Sequence, residues 1–448
     1  MSTLTDRLRG IVGAPPPLEA EGPREALGGP DLAATLGGAW HDDGQSFVVE
    51  RRIGAERQHG CARIGALASH VQRAADDARL VGILTGVPAP APFVFFDLET
   101  TGLSGGAGTH AFLVGCGWFD EDGSFLIRQH LLTRYAVERR MLERVGDEFL
   151  RAGAIVSFNG KSFDAPLLDT RYLFHRLEWS GARLPHIDAL HPSRRFWRQS
   201  AGGFRETCSL SALEQEVLGV ERRHDVAGFE IPARYFHFVR SGEAEPLAAV
   251  FEHNRLDLLS LAGLFARLLD LVREGPASAG TAWEALALGR TYARAGLEAP
   301  ACASLERALD LDDGIRTEGV APGVEALRAL ALVHRRARRH DDAARCWQRL
   351  LEARSCPPSF AREANEALAI HHEHRVRDLN GAKAFALRSL AEGKEVGSGE
   401  RWNDAVRHRL QRLERKMAAG PPIGRPLFPS WPLPPSCGSR TSGPRTSS

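Results

Sequence analysis

Residues 93–103 read Phe93-Val-Phe-Phe-Asp97-Leu-Glu99-Thr-Thr-Gly-Leu103, an apolar run of strand length that ends in two acidic residues and a turn. Upstream lies Gly86-Val-Pro-Ala-Pro-Ala-Pro92, a stiff Pro-rich connector after which a new domain is expected to begin. Side chains alternate along a strand, so Asp97 and Glu99 share one face. Two like charges on one face of an apolar strand repel, and a positive group is expected between them. The Thr100-Thr101-Gly102 turn places both carboxylates at the C-terminal end of the strand, where open α/β sheets bind ligands. A polar strand end that simply faces water would look the same in isolation.

The pattern continues downstream as α/β. Ala111 to Phe119 and Phe125 to Leu132 read as two further strands, with Asp120-Glu-Asp-Gly123 as the hairpin turn between them. Val137, Met141, Val145 and Phe149 repeat every four residues and predict an amphipathic helix; Ala154 to Phe158 predicts a buried strand. Asn159-Gly-Lys-Ser-Phe-Asp164 follows, a tight turn leading into a helix through Leu167, Leu168 and Tyr172, with Asp164 where a plain helix cap could also stand. Farther on, Val250, His253, Asp257, Leu261, Leu264 and Leu268 step by three or four along a long helix from about Pro246 to Arg273. Asp257 thus lies on a core-directed face, where a carboxylate needs a cation or a hydrogen-bonding partner. A structural His253–Asp257 pair would satisfy the same spacing.

On either side the composition changes. Residues 1–45 are rich in Gly, Pro and Ala and are expected to be an irregular leader; residues 46–90 are expected to form a small adjunct, with a strand at Ser46 to Arg52 and a helix from Arg63 to Leu80. After residue 275 the strands stop. Leu288, Gly289, Tyr292, Ala301, Leu305 and Ala308 sit at the spacings of one tetratricopeptide unit; Leu330, Ala331, Ala343, Trp347 and Leu350 give a second, and a degenerate third spans Ala369 to Ser389. The first two are offset by 42 residues, more than the repeat's usual ~34, so Asp312 to Gly323 must loop out. The Pro- and Ser-rich residues from Gly420 onward are expected to be disordered. The expected domains are therefore 1–90, 91–273, 280–418 and a tail at 420–448.

Composition narrows the function classes. With 448 residues, 43% hydrophobic and 25% charged, the chain is an ordinary globular one with room for several domains. The absence of a membrane-length apolar run or a signal-like leader predicts a cytoplasmic address and no membrane partner. Seven scattered cysteines with no CxxC pair predict reduced thiols rather than disulfides or a zinc site. Residues 1–274 hold 30 Lys+Arg against 36 Asp+Glu, whereas 275–448 hold 27 against 20. A basic C-terminal half suits a polyanion, although arginines on solvated helix faces give the same count. Neither GxGxxG nor GxxxxGK[ST] occurs, which disfavours the common nucleotide-binding folds.

Taken together, these segments resemble the DEDD exonuclease superfamily, in which a DxE on the first strand, an Asp after a later strand and an Asp on a C-terminal helix bind two divalent metals. Asp97 and Glu99 match the first motif, Asp164 the second and Asp257 the third. Gly108-Thr-His-Ala-Phe-Leu-Val-Gly115, His186-Ile-Asp-Ala-Leu-His-Pro192, Cys208-Ser-Leu-Ser-Ala-Leu-Glu214 and His253-Asn-Arg-Leu-Asp-Leu-Leu-Ser-Leu261 look like the YprB-type branch of ribonuclease H-like proteins, in which C-terminal tetratricopeptide-like helices also occur. The resemblance implies a ribonuclease H-like α/β domain, a mixed sheet flanked by helices, followed by an all-α tetratricopeptide-like domain. It also implies a 3′–5′ exonuclease acting on single-stranded DNA or RNA, with Asp97, Glu99, Asp164 and Asp257 holding Mg²⁺ or Mn²⁺. One departure stands out: the better-known groups carry a His five residues before the last Asp or a Tyr four before it, whereas here a His, His253, stands four before.

Phosphodiester hydrolysis needs an activated water and relief for charge on the phosphoryl and leaving oxygens, which two cations about 3.5–4 Å apart supply. Carboxylate oxygens suit hard cations, and His253 is the candidate general base. Thr100, Asn159, Lys161 and Phe163 are the candidate substrate contacts, with Asn159 and Lys161 for sugar and phosphate and Phe163 expected to pack under the strand end. Arg194, Arg195 and Arg198, with Trp197 among them, make a basic and aromatic stretch of the kind that single-stranded nucleic acid favours. Two other readings compete: a ribonuclease H-like module that binds nucleic acid without cutting it, and a scaffold whose helical repeats bind a protein partner.

Overall fold

The structure, a computed structural model, describes residues 29–75, 77–102, 108–200, 203–204, 208–222, 225–312, 320–353, 356–395 and 400–419. The expected disordered tail from 420, and the leader up to residue 28, lie outside the described residues. Two compact units divide the chain near residue 350.

The first unit is built on one seven-stranded sheet. In chain order its strands are β1 (Ala39–His41), β2 (Ser46–Ile53), β3 (Phe93–Thr100), β4 (Ala111–Phe119), β5 (Phe125–Leu131), β6 (Ala154–Ser157) and β7 (His186–Asp188). Across the sheet they run β1-β2-β5-β4-β3-β6-β7. The pairs from β1 through β3 are antiparallel, while β3, β6 and β7 are parallel to one another. The β4–β5 hairpin turns at Asp120–Gly123, where the Gly123 N–H donates to the Asp120 carbonyl at 3.0 Å.

Alternation along β3 sorts its residues between two apolar layers. Val94 and Phe96 join Met141, Val145 and Phe149 of helix α4 (Glu138–Leu150). Phe93 and Phe95 join Leu258, Leu261, Phe265 and Leu269 of the 30-residue helix α8 (Glu245–Glu274). The sheet is thus covered on both faces, which is why its central strands read as nearly continuous apolar runs. Helix α5 (Asp164–Phe174) follows β6, and α6 (Leu190–Trp197) follows β7.

The segment expected to be an adjunct belongs to this sheet. Helix α1 (Gly29–Leu36) precedes β1, and β2 pairs with β5 over seven residues, from Phe47 opposite Leu131 to Ile53 opposite Phe125. Leu32, Phe47 and Val49 are fully buried in the layer that also holds Phe96. The expected helix from Arg63 to Leu80 is instead two, α2 (Ile64–Ala75) and α3 (Ala78–Thr85), because the Asp77 carboxylate caps the second by accepting from the Arg79 N–H at 2.9 Å. Helix α7 (Ile231–Ser241) lies just before α8 in the chain and packs against it.

A helix-rich region follows. Helices α9 (Ala282–Arg294) and α10 (Glu298–Leu311) pack closely, with Gly289 against Leu305. Helices α11 (Pro322–Arg336) and α12 (His340–Glu352) come next in the chain. Residues 313–319 of the expected loop lie outside the described residues; on either side of them, Asp312 Oδ2 accepts from the Gly323 N–H at 2.9 Å. In the second unit, α13 (Pro358–His371) pairs with α14 (Leu379–Glu395), and α15 (Glu400–Ala418) is tied to them through Glu373. That buried carboxylate accepts from Arg412 at 2.6 Å, Lys416 at 2.8 Å and Arg409 at 3.4 Å.

Candidate active site

Asp97 and Glu99 continue the face of β3 that meets α8. Asp97 stands opposite Gly115 of β4. A Cβ on Gly115 would lie 2.2 Å from Asn254 Oδ1, so only glycine lets α8 come this close to the sheet. Asn254, fully buried, uses that approach: its Nδ2 donates to Asp97 Oδ2 at 2.9 Å while its Oδ1 accepts from Gln129 Nε2 at 2.9 Å. The β3–β4 register slips between Glu99 and Thr100, a bulge at the strand end that re-aims the side chains there.

The second carboxylate arrives from the β6–α5 connection. Asn159 takes a left-handed conformation with φ 67°, and Gly160 sits where a Cβ would be 2.5 Å from Ser157 Oγ and 2.9 Å from Asp164 Oδ2. This turn is pinned by Asp188 at the end of β7, whose buried carboxylate accepts from the backbone N–H of Asn159 at 2.8 Å, Lys161 at 3.2 Å and Leu190 at 3.1 Å.

The third group comes from α8. His253 Nδ1 lies 2.8 Å from Asp225 Oδ1, and its Nε2 lies 3.5 Å from Asp257 Oδ2. Asp257 also accepts a hydrogen bond from Arg222, whose guanidinium clasps the buried Glu214 (Nε to Oε2, 2.7 Å) and reaches Asp225 Oδ2 at 3.0 Å. The cation that a core-facing Asp257 requires is therefore Arg222.

Residues 94–269 match the sequence family described as the RNase H superfamily, and the strand order just described, three antiparallel strands followed by two parallel ones, occupies that span. The chain carries a ribonuclease H-like domain. It is also similar to a protein of Bacillus subtilis (strain 168) described as uncharacterized protein YprB, with 29% identity over 331 residues, 72% of this chain and 75% of that protein. The ribonuclease H-like domain is of nuclease type, and among the described residues no helix is long and apolar enough to cross a membrane.

Within the ribonuclease H-like domain the carboxylates are electrostatically frustrated. Burial, and then the charges of Asp257, Glu99 and Asp164, push the Asp97 carboxyl well above the usual range, with the Asn254 hydrogen bond opposing. Glu99 is pushed up in the same way, by burial first and then by Asp257, Asp164 and Asp225, against Arg222. Burial and the Asp188 charge raise Asp164 to about 7. Asp225 moves the other way: burial acts to raise it, but hydrogen bonds with His253 and Arg222 outweigh burial and hold it low.

Among the described residues no three ligating side chains form a preassembled metal cage. The chemistry of the donor set nonetheless fits a hard divalent cation: Asp97, Glu99 and Asp164 offer only oxygen, and their shared excess of negative charge is what a cation would relieve. Asp257 accepts from Arg222 at Oδ1, and its Oδ2 is the oxygen it can add to such a set.

The other expected residues fall as follows. Thr100 Oγ1 donates to the Gly102 carbonyl at 3.1 Å, closing the turn after β3. Asn159 lies in the pinned turn and Lys161 is exposed beside it. Phe163 does not pack under the strand end; it is 58% exposed, because the α5 helix that starts at Asp164 carries it outward. Trp197 is likewise not a surface ring: it is 6% exposed and its Nε1 donates to Glu284 Oε1 at 2.9 Å. Asn254, Asp188, Arg222 and Asp225 were not singled out in the sequence. Asp188 had a legible signal, an acidic residue ending an apolar step at the same sheet end as Asp97.

Proposed function

We propose that this protein is a metal-dependent exonuclease hydrolysing phosphodiester bonds of single-stranded nucleic acid, with the 3′–5′ polarity that its DEDD resemblance implies. The observation that carries the reading is the convergence of Asp97, Glu99 and Asp164 at one sheet end, each with its carboxyl pushed up. Buried like charges are costly and are kept where a site uses them.

In this reading Asp97, Glu99, Asp164 and Asp257 hold two Mg²⁺ or Mn²⁺ ions, which when bound supply water activation and neutralise charge on the leaving oxygen. His253 takes the proton at Nε2, since Asp225 engages Nδ1 and fixes the ring. Asn254 positions Asp97, and Asp188 positions the Asn159–Lys161 turn. Thr100, Asn159 and Lys161 face the sugar-phosphate chain, and exposed Phe163 offers a ring on which a terminal base can stack. The helical pairs from α9 onward are tetratricopeptide-like and offer a protein partner a surface.

The test is degradation of end-labelled single-stranded DNA and RNA with Mg²⁺, Mn²⁺ or EDTA, beside Asp97→Ala and His253→Ala. Stepwise shortening from the 3′ end is expected, lost in EDTA and in Asp97→Ala, and slowed about 10²–10⁴-fold in His253→Ala. One observation favours a second reading, a binding module that does not cut: Arg222 already neutralises Asp257. Wild-type protein that binds both metal and oligonucleotide yet cleaves neither substrate would establish that reading instead.

A further inference from the structure

Helix α6 leaves the active-site end of the sheet at Asp188 and packs against α9, the first helix after the ribonuclease H-like domain. At this contact is a cleft of about 290 Å³ lined by Arg194, Arg195, Arg198 and Arg290 together with Trp283 and Ala287. No Asp or Glu among the described residues lines it. Arg290 is held by Glu325, and Arg195 donates to the Leu84 carbonyl at 2.8 Å. Arg194 is exposed and, among the described residues, pairs with no carboxylate. Burial, and then the like charges of Arg195 and Arg290, lower the pKa of nearby Arg294, in keeping with a local excess of positive charge.

We propose that this arginine-lined cleft binds the phosphate groups of a nucleic-acid strand whose end lies at the carboxylate cluster. The proposal rests on the nuclease reading for where the strand ends, and on the cleft itself for what it binds. Guanidinium forks match phosphate oxygens in pairs, and exposed Arg194 brings such a fork to the cleft. The contact is to backbone rather than base, because both neighbouring indoles are withdrawn: Trp197 is 6% and Trp283 9% exposed. Size agrees, since the cleft lies at or below the lower end of ligand pockets, roughly 300 Å³. The eight-residue α6 is itself about 12 Å long at the helical rise. A stacked strand covers that distance in roughly three to four nucleotides.

The test measures binding to the full chain in EDTA, where nothing is cut, using fluorescein-labelled single-stranded DNA and RNA of about 20 nucleotides across a salt series. Arg194→Glu is expected to weaken binding roughly three- to tenfold and to flatten the salt dependence by about 0.7 or more in log–log slope. Arg194→Lys keeps the slope. A labelled dinucleotide, too short to reach the cleft, binds all three proteins equally. Unchanged affinity and slope for Arg194→Glu would overturn the proposal, as would an equal loss for the dinucleotide. Loss of inorganic pyrophosphate binding with the long oligonucleotide unaffected would also overturn it, marking a free-anion site. If wild type cuts nothing but the Arg194 effect is present, the nuclease reading fails and the cleft stands.

Discussion

Arg222 donates to the Asp257 carboxylate while the same guanidinium clasps Glu214, which is 1% exposed. Removing the guanidinium leaves Glu214 buried without its cation, the costly way to break such a pair. Arg222→Met is expected to lose about 3–5 kcal/mol in urea unfolding of the full chain. A loss below about 1 kcal/mol, the scale of a surface pair, would show that Arg222 is no clasp.

Asp97→Asn removes one of the mutually repelling anions while keeping an oxygen for Asn254. In EDTA at neutral pH its thermal midpoint should therefore exceed that of wild type, by about 2–4 °C for 1 kcal/mol of relief. Adding Mn²⁺ should reverse the order, because wild type gains stability from binding a cation and the variant gains less. A variant less stable than wild type in EDTA would mean the carboxylates are not in conflict.

Gly115→Ala tests the approach of α8 without touching any carboxylate. The new Cβ would meet Asn254 Oδ1 at 2.2 Å and Leu258 Cδ1 at 2.8 Å. Overpacking of this kind costs about 1–3 kcal/mol, and the displaced Asn254 should release Asp97, weakening the Mn²⁺-dependent rise in melting temperature. Gly102→Ala is the control, since nothing among the described residues lies within 4 Å of its Cβ position. Equal behaviour of the two variants would remove the positioning role given to Asn254.

Glu138 on α4 supplies a pH dependence away from the site. Burial pushes its carboxyl up, but hydrogen bonds with His110 at 3.1 Å, with Arg171 at 2.7 Å and with His175 at 2.9 Å outweigh burial and hold it at about 2, below the ordinary 4.5. A depressed carboxylate contributes stability that is full above its unfolded pKa and is lost as pH falls. The loss should therefore run from about pH 4.5 down to about 2 and amount to about 3 kcal/mol. Glu138→Gln should be less stable near neutrality and flatter through that window; an acid limb parallel to wild type would contradict the assignment.

What could be read from the sequence was whatever local periodicity controls. The runs at Phe93, Ala111, Phe125 and Ala154 became strands, and the repeat at Val137 and the stepping from Val250 became helices, because a buried face must recur every two or every three to four residues. The same logic put Asp97 beside Glu99 and left Asp257 in need of a partner. It could not supply the partner. Arg222 is 35 residues away in sequence, and Asn254 meets Asp97 across 157. Such pairs arise only when α8 is laid on the sheet. Strand β2 was legible as a strand but not as a member of the sheet, since α2, α3, β3 and β4 lie between it and its partner β5.

That membership of β2 bears on how the ribonuclease H-like domain can be isolated. Cutting the chain at residue 91, as motif spacing alone would suggest, strips β5 of the neighbour that pairs with it from Phe125 to Leu131. It would also bare the pocket that Leu32, Phe47 and Val49 fill. The fragment would present an unguarded row of peptide groups above an oily surface, a template for joining copies edge to edge. Residues 29–53 thus act as a sealing rim, and solubility, more than chemistry, is what the shortened domain would forfeit.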